Sequence, residues 1–181
     1  MPRASLPPHR NNQPLTDEQI DRIFLTFRHL DPQIPVRHVP GVRTCFVVRP
    51  TPEGNNIGEV CFGADIHPGG AILDPNSIMS PRAAAAHECA HYHRWIDATA
   101  LPQGAMDNID EALTSLVAAL RFQEKLEAVE VRSLISDAIA RLAMFVLGQQ
   151  PAQIDAAAVE PPAAEEAQPG GGEAAPGAAE G

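Results

Sequence analysis

The chain has 181 residues, of which 44% are hydrophobic, and a formal net charge of −10. This length suits one domain with a hydrophobic core. Residues 150–181 hold six of the acidic residues and no lysine or arginine, which leaves 17 acids against 13 bases, or −4, for the rest. A mildly acidic body argues against direct binding to double-stranded DNA. The lack of a signal-peptide pattern or a long apolar run argues against membrane insertion.

Composition divides the chain into three parts. Residues 1–14 contain four prolines and no apolar periodicity, and residues 150–181 consist largely of Ala, Pro, Gly and Glu. Neither end can bury enough apolar surface to offset the entropy of ordering it. We therefore expect a folded domain over 15–149 between two disordered segments. The three cysteines form no CxxC pair, which favours a reducing, cytoplasmic location.

The first half of the domain predicts a helix followed by a small sheet. Thr16 and Gln19 form a capping-box pattern at the start of a helix over about 16–30, which ends before Pro32. The short runs VRH, RTCFVVR, GEVCFGAD and AILD then alternate with turn residues over 36–74. They predict a small, mostly antiparallel sheet, with a hairpin that pairs 43–49 with 58–64.

The second half predicts helices. Ser80 and Pro81 suit the cap and first residue of a helix that runs to about Trp95. Asp107 or Asn108 would cap a third helix, with an apolar face formed by Ile109, Leu113, Leu116, Val117 and Leu120. A fourth would end at Gly148, with Val131, Leu134, Ile135, Ala138, Leu142 and Phe145 on one face. No Pro or Gly separates the last two, so a single kinked helix is an alternative. Together these elements predict an α+β fold, with the sheet packed against a helical bundle.

Residues 87–91 read HECAH, which matches the HExxH pattern. On a helix, His87 and His91 lie one turn apart on the same face and can bind one metal ion. Glu88 follows the first histidine and is placed to act as a general base toward a water molecule at the metal. The pattern predicts a catalytic zinc site, in which zinc supplies a Lewis acid and lowers the pKa of a bound water to about 7.

The third ligand has several candidates. Asp97 would fit a metzincin-like spacing, but Arg94 occupies the position where that pattern needs a glycine to turn the chain. Glu111 lies on the following helix, at a spacing that suits two histidines from one helix and a glutamate from the next. We therefore expect Glu111 to be the third ligand, with Asp107 and Asp110 as lesser alternatives. Ser115, one turn after Glu111, faces the same way and could hydrogen-bond a ligand histidine.

The stretch AILDPNSIMSPRAAAAHECAHYHRW, followed by DEALTSLVAAL, resembles the ImmA/IrrE family of small intracellular metallopeptidases. That family joins an HExxH helix to a helix patterned E-x-x-A-N-x-F-A-A, to which Glu111, Ala118 and Ala119 correspond. Thr114 and Ser115 stand where Ala and Asn are usual. The resemblance covers about residues 40–125 and implies a minimal gluzincin-like fold with zinc held by His87, His91 and Glu111.

The resemblance also implies an activity. Members of the family cut a cognate transcriptional repressor in stress, defence or mobile-element responses, so the expected partner is a protein substrate, possibly a DNA-binding repressor. A peptide would bind along an exposed strand at about 58–64. Two alternatives stay open: a catalytically silent binding module, and a toxin or effector protease with a cellular target.

Other residues near the motif carry weaker expectations. Cys89 points to the far side of the helix and is expected to be a buried packing thiol. Tyr92 and His93 are candidates for stabilising the oxyanion of a tetrahedral intermediate. Cys45 and Cys61 are expected to face each other as reduced residues in the hairpin.

Overall fold

A computed structural model of the chain describes residues 10–71, 74–102, 104 and 106–148. The elements are α1 (Asp17–Leu30), β1 (Val36–His38), β2 (Cys45–Pro50), β3 (Asn56–Phe62), a 3₁₀ turn (Ala64–Ile66), α2 (Pro75–Ile78), α3 (Pro81–Ile96), α4 (Asp107–Arg121) and α5 (Ala128–Gly148). This confirms the α+β class. The predicted disorder of 1–9 and 150–181 lies outside the described residues, as do the two central residues of the predicted strand AILD. No described helix has the length and apolarity to cross a bilayer.

The sheet has three strands in the order β1-β3-β2. The predicted hairpin is present: β2 pairs antiparallel with β3, and Cys45 lies opposite Cys61. Both thiols are free. The other pairing, of β1 with β3, is parallel and joins only three residues of each strand, beginning with Val36 opposite Val60. The sheet is therefore mixed, and β3 is its central strand.

The α1 and α3 helices pack against this sheet and enclose the core. As predicted, Thr16 and Gln19 form a reciprocal capping box at the start of α1. Phe27 of α1 and Phe62 of β3 are almost fully buried and pack ring against ring. Gly58 allows α3 to approach the hairpin closely, because a Cβ atom there would lie 2.7 Å from the ring of Trp95.

The α3 helix begins as the sequence indicates. The Ser80 hydroxyl accepts a hydrogen bond from the backbone N–H of Ala83, and Pro81 occupies the first helical position. The small side chains of Ala83, Ala85, Ala86 and Ala90 are completely buried. They bring neighbouring elements close to the helix that carries the HExxH residues.

The α4 and α5 helices are separate, so the single-helix alternative is wrong. Residues 122–127 turn the chain, and the two helices run antiparallel, with Ser115 beside Asp137 and Glu111 beside Arg141. The predicted cap of α4 is also wrong. Met106 stands at the cap without a side-chain hydrogen bond, and the Asp107 carboxylate accepts from the backbone N–H of Gly104.

The buried face of α4 differs from the predicted one. Leu113 and Leu120 are 39% and 72% exposed, whereas the buried residues are Ala112, Thr114, Ser115, Ala118 and Ala119. On α5, Leu134 and Ala138 are buried as predicted, but Ile135 and Leu142 are each 40% exposed. Small residues on the inner face of α4 allow it to pack closely between α3 and α5. The apolar pattern identified both helices, misplaced the buried face of α4 and placed that of α5 in part.

Arg10 and Asn11 lie in the segment predicted to be disordered, yet they form specific contacts. The Arg10 guanidinium is partly buried and donates to the backbone carbonyls of Asp65, Ile66, Asn76 and Met79. Asn11 donates through its side-chain amide to the carbonyl of Ala64. These bonds join the start of the described chain to the loop between β3 and α3.

Candidate metal centre

The structure brings together the three residues expected to bind zinc. One ligand atom from each of His87, His91 and Glu111 lies within 4.8 Å of the other two. Glu111 Oε2 is 3.2 Å from His87 Nε2, and Glu111 Oε1 is 3.4 Å from His91 Nε2. Zinc bonds of 2.0–2.1 Å in tetrahedral geometry require ligand atoms about 3.3 Å apart. The donor set and its spacing therefore fit a zinc ion.

Helix geometry explains this arrangement. The two histidines lie one turn apart on α3, with their ring centroids 4.9 Å apart. The α4 helix packs beside α3 and supplies the carboxylate from its second turn. His87 is 6% exposed, whereas the side chains of His91 and Glu111 are 17% and 31% exposed, so water can reach the site from their side.

Glu88 lies beside the two histidines with one carboxylate oxygen in an unusual environment. Its Oε2 atom is buried and has no hydrogen-bond partner among the described residues. Glu88 and His87 also line a cavity of about 40 Å³ together with Arg10, Arg43, Thr44, Asp65, Asn76, Met79 and Ala84. A buried carboxylate oxygen without a partner, on a residue that lines a small polar cavity, is suited to receive a proton from a water molecule.

The alternative ligands are engaged elsewhere. Asp97 caps the C-terminus of α3 and lies 3.6 Å from Arg121. Asp110 forms a 2.6 Å ion pair with Arg94 and accepts a hydrogen bond from the backbone of Leu101. Asp107 likewise contacts the loop before α4. Among the candidate third ligands, Glu111 is therefore the one whose carboxylate lies next to the histidines.

Both candidate histidines contact hydroxyl groups of α4. His87 Nδ1 is 2.8 Å from Ser115 Oγ, which agrees with the role expected for Ser115. His91 Nδ1 is 3.4 Å from Thr114 Oγ1, a contact that the sequence analysis missed. Thr114 and Ser115 of α4 thus contact the Nδ1 atoms of the two imidazoles, so that each ring directs Nε2 toward Glu111.

Two charged residues of α5 also reach the site, and the sequence analysis missed them. Asp137 accepts a hydrogen bond from Ser115, and Arg141 lies 3.1 Å from Glu111. They occupy the same face as the buried Leu134 and Ala138. An acid and a base four residues apart within a buried apolar stripe are a sequence signal that could have identified them.

The expectations for residues around the motif have different outcomes. Cys89 is completely buried, as predicted, and burial raises the pKa of its thiol. His93 contacts α1, since its Nε2 lies 2.9 Å from Asp31 Oδ2 at the end of that helix, and its candidate oxyanion role stays a prediction. Tyr92 packs against Phe46 and Trp95, and none of its described contacts is to the candidate metal ligands.

The electrostatics of the site favour a charged carboxylate. Burial alone would raise the pKa of Glu111, but hydrogen bonds and charge interactions with His87 and His91 outweigh burial and lower it well below its usual range. Burial likewise opposes the charged form of His91. The hydrogen bond to Glu111 and the charge of Glu88 nevertheless raise its pKa above the ordinary value of 6.5.

The raised pKa of His91 leads to a prediction about pH. A proton and a metal ion compete for the same ring nitrogen, so zinc affinity should fall as the pH drops through this pKa. We expect a loss of about tenfold per pH unit, beginning above pH 6.5. Competition with a chelating indicator between pH 5.5 and 8.5 measures it. In Glu111→Gln, which lacks the negative charge, the decline should begin at lower pH; the same onset in both proteins would contradict this account.

Comparisons of the chain with protein families, with curated proteins and with solved structures give no match.

Proposed function

We propose that the chain is a zinc-dependent metallopeptidase. The observation that carries this proposal is the convergence of His87, His91 and Glu111, whose ligand atoms lie within 4.8 Å of one another and so could share one ion. The adjacent Glu88 distinguishes the site from a purely structural one, because a structural zinc ion needs no buried base beside it.

The particular protein we propose is a cytoplasmic endopeptidase of the ImmA/IrrE type, which cuts a cognate transcriptional repressor in a stress, defence or mobile-element response. The HECAH motif, the glutamate on the next helix and the resemblance over about 40–125 support this class.

The chain's own residues supply the remaining chemistry. When bound, zinc would polarise the scissile carbonyl and acidify a water molecule. Glu88 would take the proton of that water and return it to the leaving amine. His87, His91 and Glu111 would hold the ion, while Ser115 and Thr114 would orient the two imidazoles.

The expected position of the peptide needs correction. The stretch at about 58–64 lies mainly in β3, which is the central strand and is paired on both sides, with β1 and with β2. The edge strands are β1 and β2, and the residues just before β2, Arg43 and Thr44, line a cavity together with Glu88. An extended substrate would therefore add to the edge of β2.

Zinc binding tests the proposal directly. We expect wild-type protein to bind one zinc ion per chain and Glu111→Ala to bind it at least 100-fold more weakly, since outer-sphere changes alone cost 10–100-fold. Atomic spectroscopy and chelator competition measure this. Glu124→Ala is the matched control, because Glu124 is exposed on the turn after α4.

Activity is measured separately on a peptide library and on a repressor encoded next to the protein's own gene. We expect cleavage that a chelator abolishes and added zinc restores. A Glu111→Ala variant with wild-type zinc affinity would refute the metal site. Zinc binding without cleavage of any substrate would support the binding-module alternative.

A further inference from the structure

A hydrogen-bond chain starts at the candidate metal centre and ends on α5. It runs from His87 Nδ1 to Ser115 Oγ over 2.8 Å, and from Ser115 Oγ to Asp137 Oδ2 over 2.6 Å. Arg141 donates to the same Asp137 oxygen over 2.7 Å. Three helices thus contribute to the surroundings of one imidazole.

The protons in this chain can be assigned by counting donors. A hydroxyl has one proton, and a carboxylate can only accept. Arg141 is permanently charged and pairs with Asp137 as a carboxylate, so the short Ser115–Asp137 contact must use the serine proton. Ser115 Oγ can then only accept from His87, which places a proton on His87 Nδ1.

We propose that Asp137 is a positioning residue that, through Ser115, keeps His87 protonated on Nδ1 and so presents Nε2 to the metal. The presentation of Nε2 to a metal rests on the proposed zinc site, whereas the location of the proton on Nδ1 does not. Asp137 lies 50 positions after the histidine in the chain and touches neither the metal ligands nor a substrate directly.

Burial makes this chain sensitive to the loss of any member. Asp137 is 2% exposed and Ser115 is fully buried, so water cannot readily replace either group. Without the carboxylate, the Ser115 proton is free to point at His87 Nδ1. The ring would then favour the tautomer with its proton on Nε2, the nitrogen that a metal needs.

The arrangement around His91 follows the same logic. Thr114 Oγ1 donates to the carbonyl of Asp110 over 2.9 Å and accepts from Arg94 over 2.6 Å. Its only proton is therefore engaged, and it can accept from His91 Nδ1. The backbone carbonyl of Asp110 accepts the Thr114 proton near His91, as Asp137 accepts the Ser115 proton near His87.

The first experiment measures zinc affinity by chelator competition. We expect Ser115→Ala and Asp137→Ala to bind zinc about 10–100-fold more weakly than wild type, the range found for outer-sphere partners of metal ligands. Since both act through one chain, the double variant should be no weaker than the weaker single variant. Ser115→Thr, which retains the hydroxyl, should recover most of the affinity. Ser133→Ala is the control, because that hydroxyl bonds only within α5.

The second experiment reads the proton itself. In metal-free protein labelled with ¹⁵N-histidine, we expect a protonated Nδ1 at His87 in the wild type and the loss of that Nδ1 proton in Ser115→Ala, in which Nε2 can still donate to Glu111 Oε2. A structural role alone would not move this tautomer signal.

The outcomes separate the two proposals. Wild-type protein without zinc affinity would refute the proposed function but not the proton assignment, which the metal-free spectrum still tests. Unchanged zinc affinity and tautomer in Ser115→Ala would overturn the role of Asp137, even if Asp137→Ala fails to fold. Additive losses in the double variant would overturn it as well.

Discussion

Glu88→Gln should retain zinc and fold but lose turnover by a factor of about 10²–10⁴, the usual contribution of a positioned general base. Glutamine has the same shape as glutamate but cannot take a proton from water. The carboxylate is favourably placed for this task, because its buried Oε2 lacks a partner among the described residues and Glu88 lines a cavity together with His87.

Three measurements on the same preparation check this prediction. Zinc content and thermal unfolding should match the wild type, while kcat on the cleaved peptide falls. Glu124→Gln, an exposed glutamate changed in the same way, should leave kcat unaltered. If fully zinc-loaded Glu88→Gln cuts at the wild-type rate, Glu88 is not the base.

The second large effect concerns stability. Arg94→Ala should lower the free energy of unfolding by about 3–5 kcal/mol, the cost of removing one partner of a buried ion pair. The Arg94 side chain is only 3% exposed and forms an ion pair with Asp110. It also donates to Thr114 Oγ1 and to the carbonyl of Thr99. One guanidinium therefore joins the end of α3, the following loop and the start of α4.

Urea unfolding of the metal-free proteins measures this difference. The matched control is Arg121→Ala, since its ion pair with Asp97 also joins α3 to α4, but with side chains 44% and 54% exposed. Exposed pairs contribute about 0–1 kcal/mol, so this control should remain close to wild type. Equal losses in the two variants would show that burial of Arg94 does not determine its contribution.

Arg94 also shows why the third ligand lies on α4. The sequence placed an arginine where a metzincin would need a glycine, and this argued against Asp97. The structure adds the reason for the arginine: it holds Asp110 in an ion pair and so joins the helix of the histidines to the helix of Glu111. Arg94 thus disfavours Asp97 as the third ligand and supports the helix packing that brings Glu111 to the histidines.

Local patterns in the sequence were sufficient for much of the molecule. The capping box at Thr16, the Ser80-Pro81 helix start and the hairpin across residues 51–55 each depend on nearby residues, and each is present. The spacing of His87 and His91 likewise determined that both rings lie on one helix face. Glu111 was reached by the same reasoning, because a short connection places the next helix alongside.

Only the tertiary structure decided which face of α4 is buried and which residues of α5 support the site. The inner face of α4 consists of small residues, because close packing against α3 and α5 favours low volume over apolar bulk there. Asp137 and Arg141 reach the site from α5 only because the turn at 122–127 folds that helix back along α4. Hydrogen bonds between residues so far apart depend on the packing of whole helices, and local periodicity carries no information about that packing.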